Sequence, residues 1–144
     1  MKRKLTTIFC WIAVAACMGV IFYFSAQTGD ASQGTSDDLA FFLNIPFGSF
    51  IVRKGAHFLE FAGLAVLIFN ALHSTCGKSR PCLSFIITAA YAVTDEIHQL
   101  FVPERACRFF DWLVDCSGAV AALIFVSLII FLSRKYERRT KNDE

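Results

Sequence analysis

The segment CLSFIITAAYAVTDEIHQLFVPER, residues 82–105, decides how this chain folds. Its first half is an apolar run, and its second half carries Asp95, Glu96, His98 and Arg105. Ionisable side chains are expensive inside a bilayer, so they are rare there and usually serve a function. We therefore predict a membrane helix that ends in a functional polar site.

The composition of the whole chain indicates a membrane protein. The 144 residues are 56% hydrophobic, with a mean hydropathy of +0.53, which is too apolar for a soluble globule. A helix needs about 20 apolar residues to cross the bilayer core. Four segments approach that length, at about residues 5–24, 56–72, 82–101 and 112–132. They predict a single domain over residues 1–144, an all-α integral membrane bundle of four transmembrane helices.

The distribution of lysine and arginine predicts the orientation, because cytoplasmic flanks collect these residues. Basic residues precede the first segment, lie between the second and third, and follow the fourth: Lys2, Arg3, Lys4, Lys78, Arg80, Arg134, Lys135, Arg138, Arg139 and Lys141. We expect a multi-pass protein of the cell membrane with both termini in the cytoplasm and the bilayer as its first partner. Orientation accounts for the basic tail, so no nucleic-acid surface is predicted.

The N-terminal segment has a second interpretation. Its basic start and the apolar run up to Cys17 are similar to a lipoprotein signal. The run continues to Phe24, however, which favours an uncleaved span. The six cysteines show no metal-finger spacing. Cys107 and Cys116, on the outer side, either form a disulfide or remain two small buried thiols.

Helical spacing gathers the ionisable residues into three stripes near the outer side. The stripes are Arg53, His57 and Glu60 on the second segment, Tyr91, Asp95, His98 and Gln99 on the third, and Asp111, Asp115, Gly118 and Ala122 on the fourth. Unpaired acids would burden a small bundle, so the stripes should face one another in an outward-opening pocket. A structural alternative is that the cations only neutralise the acids while small residues allow close helix approach.

Two sets of candidate site residues follow. The predicted ligand-binding residues are Arg53, Lys54, His57, Asp95, Glu96, Gln99, Arg105, Asp111 and Asp115. The candidates for catalysis are His57, Glu60, Asp95, His98 and Asp111. No cofactor is predicted. The i, i+3 pairs His57/Glu60 and Asp95/His98 are of a type that holds metals in helix bundles, but no metal-hydrolase motif accompanies them, so no metal site is predicted.

The first outer loop predicts a short helix lying in the membrane interface. Thr35-Ser36-Asp37-Asp38 is typical of a helix start, and Asn44-Ile45-Pro46 of a stop. Such a helix would cover the pocket as a lid, gather an acyl chain, or simply pack on the bundle through its phenylalanines.

The same residues resemble the VanZ-like family of small multi-pass membrane proteins. The resemblance lies in residues 24–27 (FSAQ) with Ser32 and Ser36 after them, in 53–61 (RKGAHFLEF), 95–99 (DEIHQ) and 101–105 (FVPER), and in 111–118. Three positions depart from the family's usual residues. Phe61 stands where tyrosine is common, Glu104 where glycine is usual, and Asp115 where asparagine is common. Because a carboxylate at Glu104 would pair with Arg105, it would weaken the grip of Arg105 on an anion.

The resemblance implies a role linked to teicoplanin resistance and supplies no reaction. One hypothesis is a binding protein, in which Arg53, Lys54 and Arg105 hold a lipid-linked cell-wall precursor or a lipoglycopeptide, while Asp95 and Asp111 orient those cations. The other is a membrane-embedded hydrolase or transferase acting on a lipid headgroup, with a histidine as acid or base and Arg105 stabilising charge. A transporter that works by alternating access is not indicated, because the four predicted segments show no paired discontinuous helices. The oligomeric state is left open.

Overall fold

The computed structural model describes residues 2–43, 48–105 and 107–141, and these form five α-helices. The helices are α1 (Lys2–Ser25), α2 (Gly29–Phe42), α3 (Gly48–Cys76), α4 (Pro81–Gln99) and α5 (Phe109–Thr140). No strand occurs in the described ranges. The predicted all-α class is therefore confirmed.

Local sequence explains where several helices start and stop. The Thr28 side chain accepts a hydrogen bond from the Ala31 backbone at 3.4 Å, which caps the start of α2. α3 ends before Gly77, whose φ of +69° is the left-handed conformation that glycine adopts most easily after a helix. Pro81 opens α4, where the absence of a backbone N–H removes no intrahelical bond.

α3 is the central helix, and it packs against α1, α2, α4 and α5. Its fully buried side chains Phe61, Leu64 and Ile68 form the main apolar core with Ile21 of α1 and Ala92 of α4. A second cluster joins α3 to α5 through residues Ala65, Phe69, Ala119 and Leu123. The core therefore holds α3 at a fixed rotation, which sets the direction of its polar stripe.

Gly118 lets α3 and α5 approach closely. A Cβ atom at this position would collide with the carbonyl oxygen of Phe58 on α3. The predicted small-residue contact on α5 is thus present, because only glycine leaves room for the facing backbone.

Three helices of the described chain are long and apolar enough to cross a membrane. They are α1, α3 and α5, with candidate spans Arg3–Ser25, Phe50–Cys76 and Phe109–Thr140. The protein is a membrane protein. The third predicted span corresponds to α4, whose last two turns carry Asp95, Glu96, His98 and Gln99. A fourth crossing therefore stays a prediction.

The predicted start of the loop helix was wrong by six residues. α2 begins at Gly29, and Thr35 and Ser36 lie inside it. Their hydroxyls donate to carbonyl oxygens one turn earlier, on Ala31 at 3.1 Å and on Ser32 at 2.8 Å. The predicted stop at residues 44–46 lies outside the described residues. α3 and α5 also extend beyond their predicted apolar limits, because polar residues at their ends find partners within the bundle or face outward.

Candidate functional site

Two contacts between a basic and an acidic side chain join α3 and α5, which carry two of the predicted polar stripes. Lys54 pairs with Asp111, and the Nδ1 atom of His57 lies 3.5 Å from Oδ1 of Asp115. Asp115 is fully buried, and neither of its carboxylate oxygens has a hydrogen-bond donor among the described residues. The predicted facing of these two stripes is confirmed. His57 is consequently the group that compensates Asp115.

The α4 stripe faces α1. Oδ2 of Asp95 accepts hydrogen bonds from the Ser25 hydroxyl at 2.8 Å and from the Gln99 side-chain nitrogen at 3.1 Å. Asp95 is 2% exposed, so these neutral donors replace lost water at Oδ2, while Oδ1 has no hydrogen-bond donor among the described residues. The expectation that Asp95 orients Arg105 was wrong, because the rotation of α4 brings Asp95 to Ser25.

Tyr91 and His98 also lie against α1. The Tyr91 hydroxyl donates to the Met18 carbonyl at 2.7 Å, and the His98 ring stacks on Phe22 at 4.3 Å between centroids. His98 is thus used in packing against an aromatic ring. Two of the proposed catalytic groups, Asp95 and His98, therefore lie against α1 and line neither of the cavities described below.

Glu96 points around α4 towards the start of α5. Its Oε2 accepts a hydrogen bond from the Arg108 backbone at 3.0 Å, directly before α5 begins. A carboxylate at a helix start also interacts favourably with the helix dipole. Glu96 therefore anchors the loop between α4 and α5.

The segment Pro103 to Arg105 holds the corner between α1 and α2. The Pro103 carbonyl accepts from the Gly29 backbone at 3.1 Å, and the Glu104 carboxylate accepts from the Asp30 backbone at 3.1 Å. Arg105 donates to the carbonyls of Gln27 at 3.2 Å and Phe24 at 3.3 Å. We call this set of contacts the corner clamp.

The corner clamp corrects the expected role of Glu104. Its carboxylate serves the first turn of α2, and the described residues show no ion pair between Glu104 and Arg105. Gly29 is required here, because an added Cβ would meet the Glu104 backbone. Arg105 is thereby left without a carboxylate partner in the described chain.

Two neighbouring cavities at this end of the bundle share lining residues. The first, about 190 Å³, lies beneath α2, and we call it the α2 cavity; it is lined mainly by Phe24, Ser25, Gln27, Ser32, Thr35, Ser36, Leu39, Val52, Ala56 and Glu60. The second, about 130 Å³, is the loop cavity, lined by Phe50, Lys54, Gln99, Glu104, Arg108 and Asp111. Arg53, His57 and Arg105 line both cavities. The two cavities therefore share the guanidinium groups of Arg53 and Arg105 and the imidazole of His57, and we call this shared region the junction.

Neither arginine at this junction forms an ion pair with an acid among the described residues, although Glu60 lines the α2 cavity beside them. Burial and the neighbouring Arg53 guanidinium lower the pKa of Arg105 below its usual range. Arg53 has no side-chain hydrogen bond or ion pair to any residue within 2–43, 48–105 or 107–141. Arginine nevertheless stays charged at neutral pH. The junction thus presents two positive charges to the cavities.

The sequence identifies the family. A sequence model of the VanZ/LLP1 family matches residues 9–132. This chain belongs to the VanZ/LLP1 family. No curated protein and no solved structure matches it. The match spans α1 to α5 and so includes every side chain of the two cavities.

At three positions this VanZ/LLP1 protein differs from the family's usual residues, and the structure shows what each of the three side chains contacts. Glu104 adopts a φ of +61°, a left-handed conformation suited to glycine, and uses its carboxylate in the corner clamp. Asp115 gives His57 a buried acidic partner. Phe61 is fully buried in the core, 6.1 Å from Tyr91 between ring centroids, where a hydroxyl would need its own partner.

Sequence reasoning missed the contribution of the α1–α2 region to this VanZ/LLP1 site. Ser25, Gln27 and the α2 hydroxyl residues Ser32, Thr35 and Ser36 were not predicted as site residues, yet they are five of the thirteen residues that line the α2 cavity. The available signal was the position of Ser25 at the end of the first apolar run, level with the polar ends of the other helices.

The described part of the chain contains no group of three metal-ligating side chains. The members of the Asp95/His98 pair have different partners, since Asp95 bonds to Ser25 while His98 stacks on Phe22, whereas His57 and Glu60 both line the α2 cavity. All six cysteines are free thiols, with Cys107 exposed and Cys116 buried. The disulfide alternative is therefore absent from this structure, as is the burial expected for Cys107.

Proposed function

We propose that this VanZ/LLP1 protein binds an anionic group of an envelope amphiphile at the outer face of the cell membrane and thereby lowers teicoplanin susceptibility. The ligand is a lipid-linked cell-wall precursor or a lipoglycopeptide. The junction of the two cavities at Arg53 and Arg105, cations without carboxylate partners in the described chain, carries this proposal. Guanidinium groups are well suited to carboxylate and phosphate oxygens.

The proposal places α4 across the membrane as a fourth span, with both termini in the cytoplasm. The cavities then open at the outer leaflet. α2 lies in the interface, with Phe41 and Phe42 directed into lipid; their exposed fractions of 90% and 82% support this arrangement. An amphiphile in that leaflet would reach the cations without leaving the bilayer.

The first experiment measures teicoplanin and vancomycin susceptibility of a sensitive Gram-positive host. Cells express the wild type, Arg53→Gln or Arg139→Gln at matched membrane levels. We expect the wild type and Arg139→Gln to protect against teicoplanin and Arg53→Gln to lose protection. Arg139 is the matched control because it lies at the far end of α5. Equal protection by all three chains would refute a role for the junction.

Lipid-headgroup hydrolysis or transfer is a second candidate function, favoured by the pair His57 and Asp115. A buried carboxylate behind an imidazole that lines a cavity is an arrangement used in general acid–base catalysis. Arg105 would then stabilise charge developing on the substrate.

Asp115→Asn separates the two functions. A binding protein keeps its affinity, because asparagine preserves the shape of the side chain and removes only a buried charge. A catalyst that needs the carboxylate to hold the imidazole loses turnover. Protection retained by Asp115→Asn at matched levels would support binding, and protection lost by a folded Asp115→Asn protein would support catalysis.

A further inference from the structure

We propose that the junction holds the phosphate group of a single-chain lipid phosphate, with the first carbons of the alkyl chain in the α2 cavity. This inference rests on the proposed anion binding at the junction and assigns to that site a smaller envelope amphiphile than the two ligands named above. Three properties of the site support it: its size, its excess charge and the composition of its two walls.

Size restricts what can enter. The cavities have volumes of about 190 and 130 Å³, whereas pockets for drug-sized ligands span about 300–1,000 Å³. A glycopeptide or a complete saccharide headgroup therefore cannot lie inside. A terminal anionic group with a few attached atoms is the part that reaches Arg53 and Arg105.

Charge favours phosphate over carboxylate. Four cationic and two acidic side chains line the loop cavity, so its formal excess is two positive charges. Lys54 is paired with Asp111, and the Glu104 carboxylate is held by the α2 backbone, which leaves Arg53, Arg105 and Arg108. A phosphate monoester carries about −1.5 to −2 at neutral pH and matches this excess, whereas a carboxylate carries only −1.

Arg108 adds a third guanidinium group to the lining of the loop cavity. Its backbone is held by Glu96, and its side chain has no hydrogen bond or ion pair in the described chain; the residue also borders a separate apolar cavity of about 380 Å³. Arg53 comes from α3 and Arg105 from the corner clamp. Three guanidinium groups from separate elements would contact different oxygens of one phosphate.

The α2 cavity supplies the wall for the alkyl chain. Phe24, Leu39, Val52 and Ala56 present apolar surface next to the cations, and the carboxylate of Glu60 belongs to the same lining. A free phosphate ion would leave this surface unused, whereas an alkyl phosphate would cover it. The ligand is therefore expected to bind through its head and its first methylene groups together.

The test measures binding to the purified full chain in a nonionic detergent by calorimetry. The probes are dodecyl phosphate, dodecanoate and inorganic phosphate. We expect dodecyl phosphate to bind at least about tenfold more tightly than either other probe. Arg53→Gln and Arg108→Gln should each weaken dodecyl phosphate binding about tenfold, while Arg139→Gln should leave it unchanged. Circular dichroism and gel filtration confirm that each variant is folded.

The outcomes separate this inference from the proposed function. Equal affinity for dodecanoate and dodecyl phosphate would overturn the phosphate preference while anion binding at the junction stands. Equal affinity for inorganic phosphate would overturn the lipid part. Binding of none of the probes would overturn both this inference and the proposed anion binding. Dodecyl phosphate binding that is unaffected by Arg53→Gln and Arg108→Gln would show that the ligand does not bind at the junction.

Discussion

The Glu104 carboxylate lies 3.1 Å from the backbone nitrogen of Asp30, and this contact joins the loop after α4 to the first turn of α2. It satisfies an N–H group that has no partner inside the helix and places negative charge at the positive end of the helix dipole. Because α2 covers one cavity, Glu104 influences the α2 cavity through its contact with the helix start.

Replacing Glu104 by alanine is expected to loosen the start of α2. The loss of a capping interaction costs about 1 kcal/mol, which corresponds to an increase of about fivefold in local opening. Hydrogen exchange followed by mass spectrometry should show faster exchange over residues 28–32. Glu137→Ala, on the exposed end of α5, is the control. Unchanged exchange in Glu104→Ala would mean that the carboxylate does not hold α2.

Gly118→Ala is expected to destabilise the bundle by about 1–3 kcal/mol, because its Cβ would collide with the Phe58 carbonyl and push α3 from α5. Gly63→Ala is the matched control, since no atom lies within 4 Å of the added Cβ. That change should be neutral or stabilising by up to about 1 kcal/mol. Thermal unfolding in detergent measures both variants. Similar melting temperatures for the two would contradict the close contact.

Ser25→Ala is expected to destabilise the protein by about 1–3 kcal/mol. The substitution removes one of the two donors to the buried Asp95 carboxylate and leaves only Gln99. Ser117→Ala provides the comparison, because Ser117 is exposed and bonds to its own helix at Val114. The measurement is denaturant unfolding in mixed micelles. Equal stability of both variants would show that Asp95 does not depend on α1.

Lys54 and Asp111 are expected to show a coupling of about 0.5–3 kcal/mol in a double-mutant cycle with alanine. Both side chains are partly buried, so each single variant leaves the other charge poorly solvated. Asp111 and Arg134 form the control pair, since they lie roughly 35 Å apart along α5. Additive effects for Lys54 and Asp111 would argue against the ion pair.

Several features followed from sequence because they depend on spacing within one helix. Arg53, His57 and Glu60 line one face of α3, and Asp111, Asp115 and Gly118 turn towards α3 as their spacing predicts. The rise and rotation per residue are nearly constant in an α-helix, so local pattern determines these relationships. The apolar segments likewise predicted the helices, though not their polar ends.

The partners between helices required the tertiary structure. Asp95 bonds to Ser25, Glu104 to the α2 backbone, and Glu96 to the start of α5. A sequence pattern states which face of a helix is polar, but not which neighbour that face meets, because helix rotation and loop paths depend on packing around α3. By itself, the sequence determined the family, the helical class and the polar character of the site. Only packing decided that α2 covers the cations and that Arg53 and Arg105 share one junction.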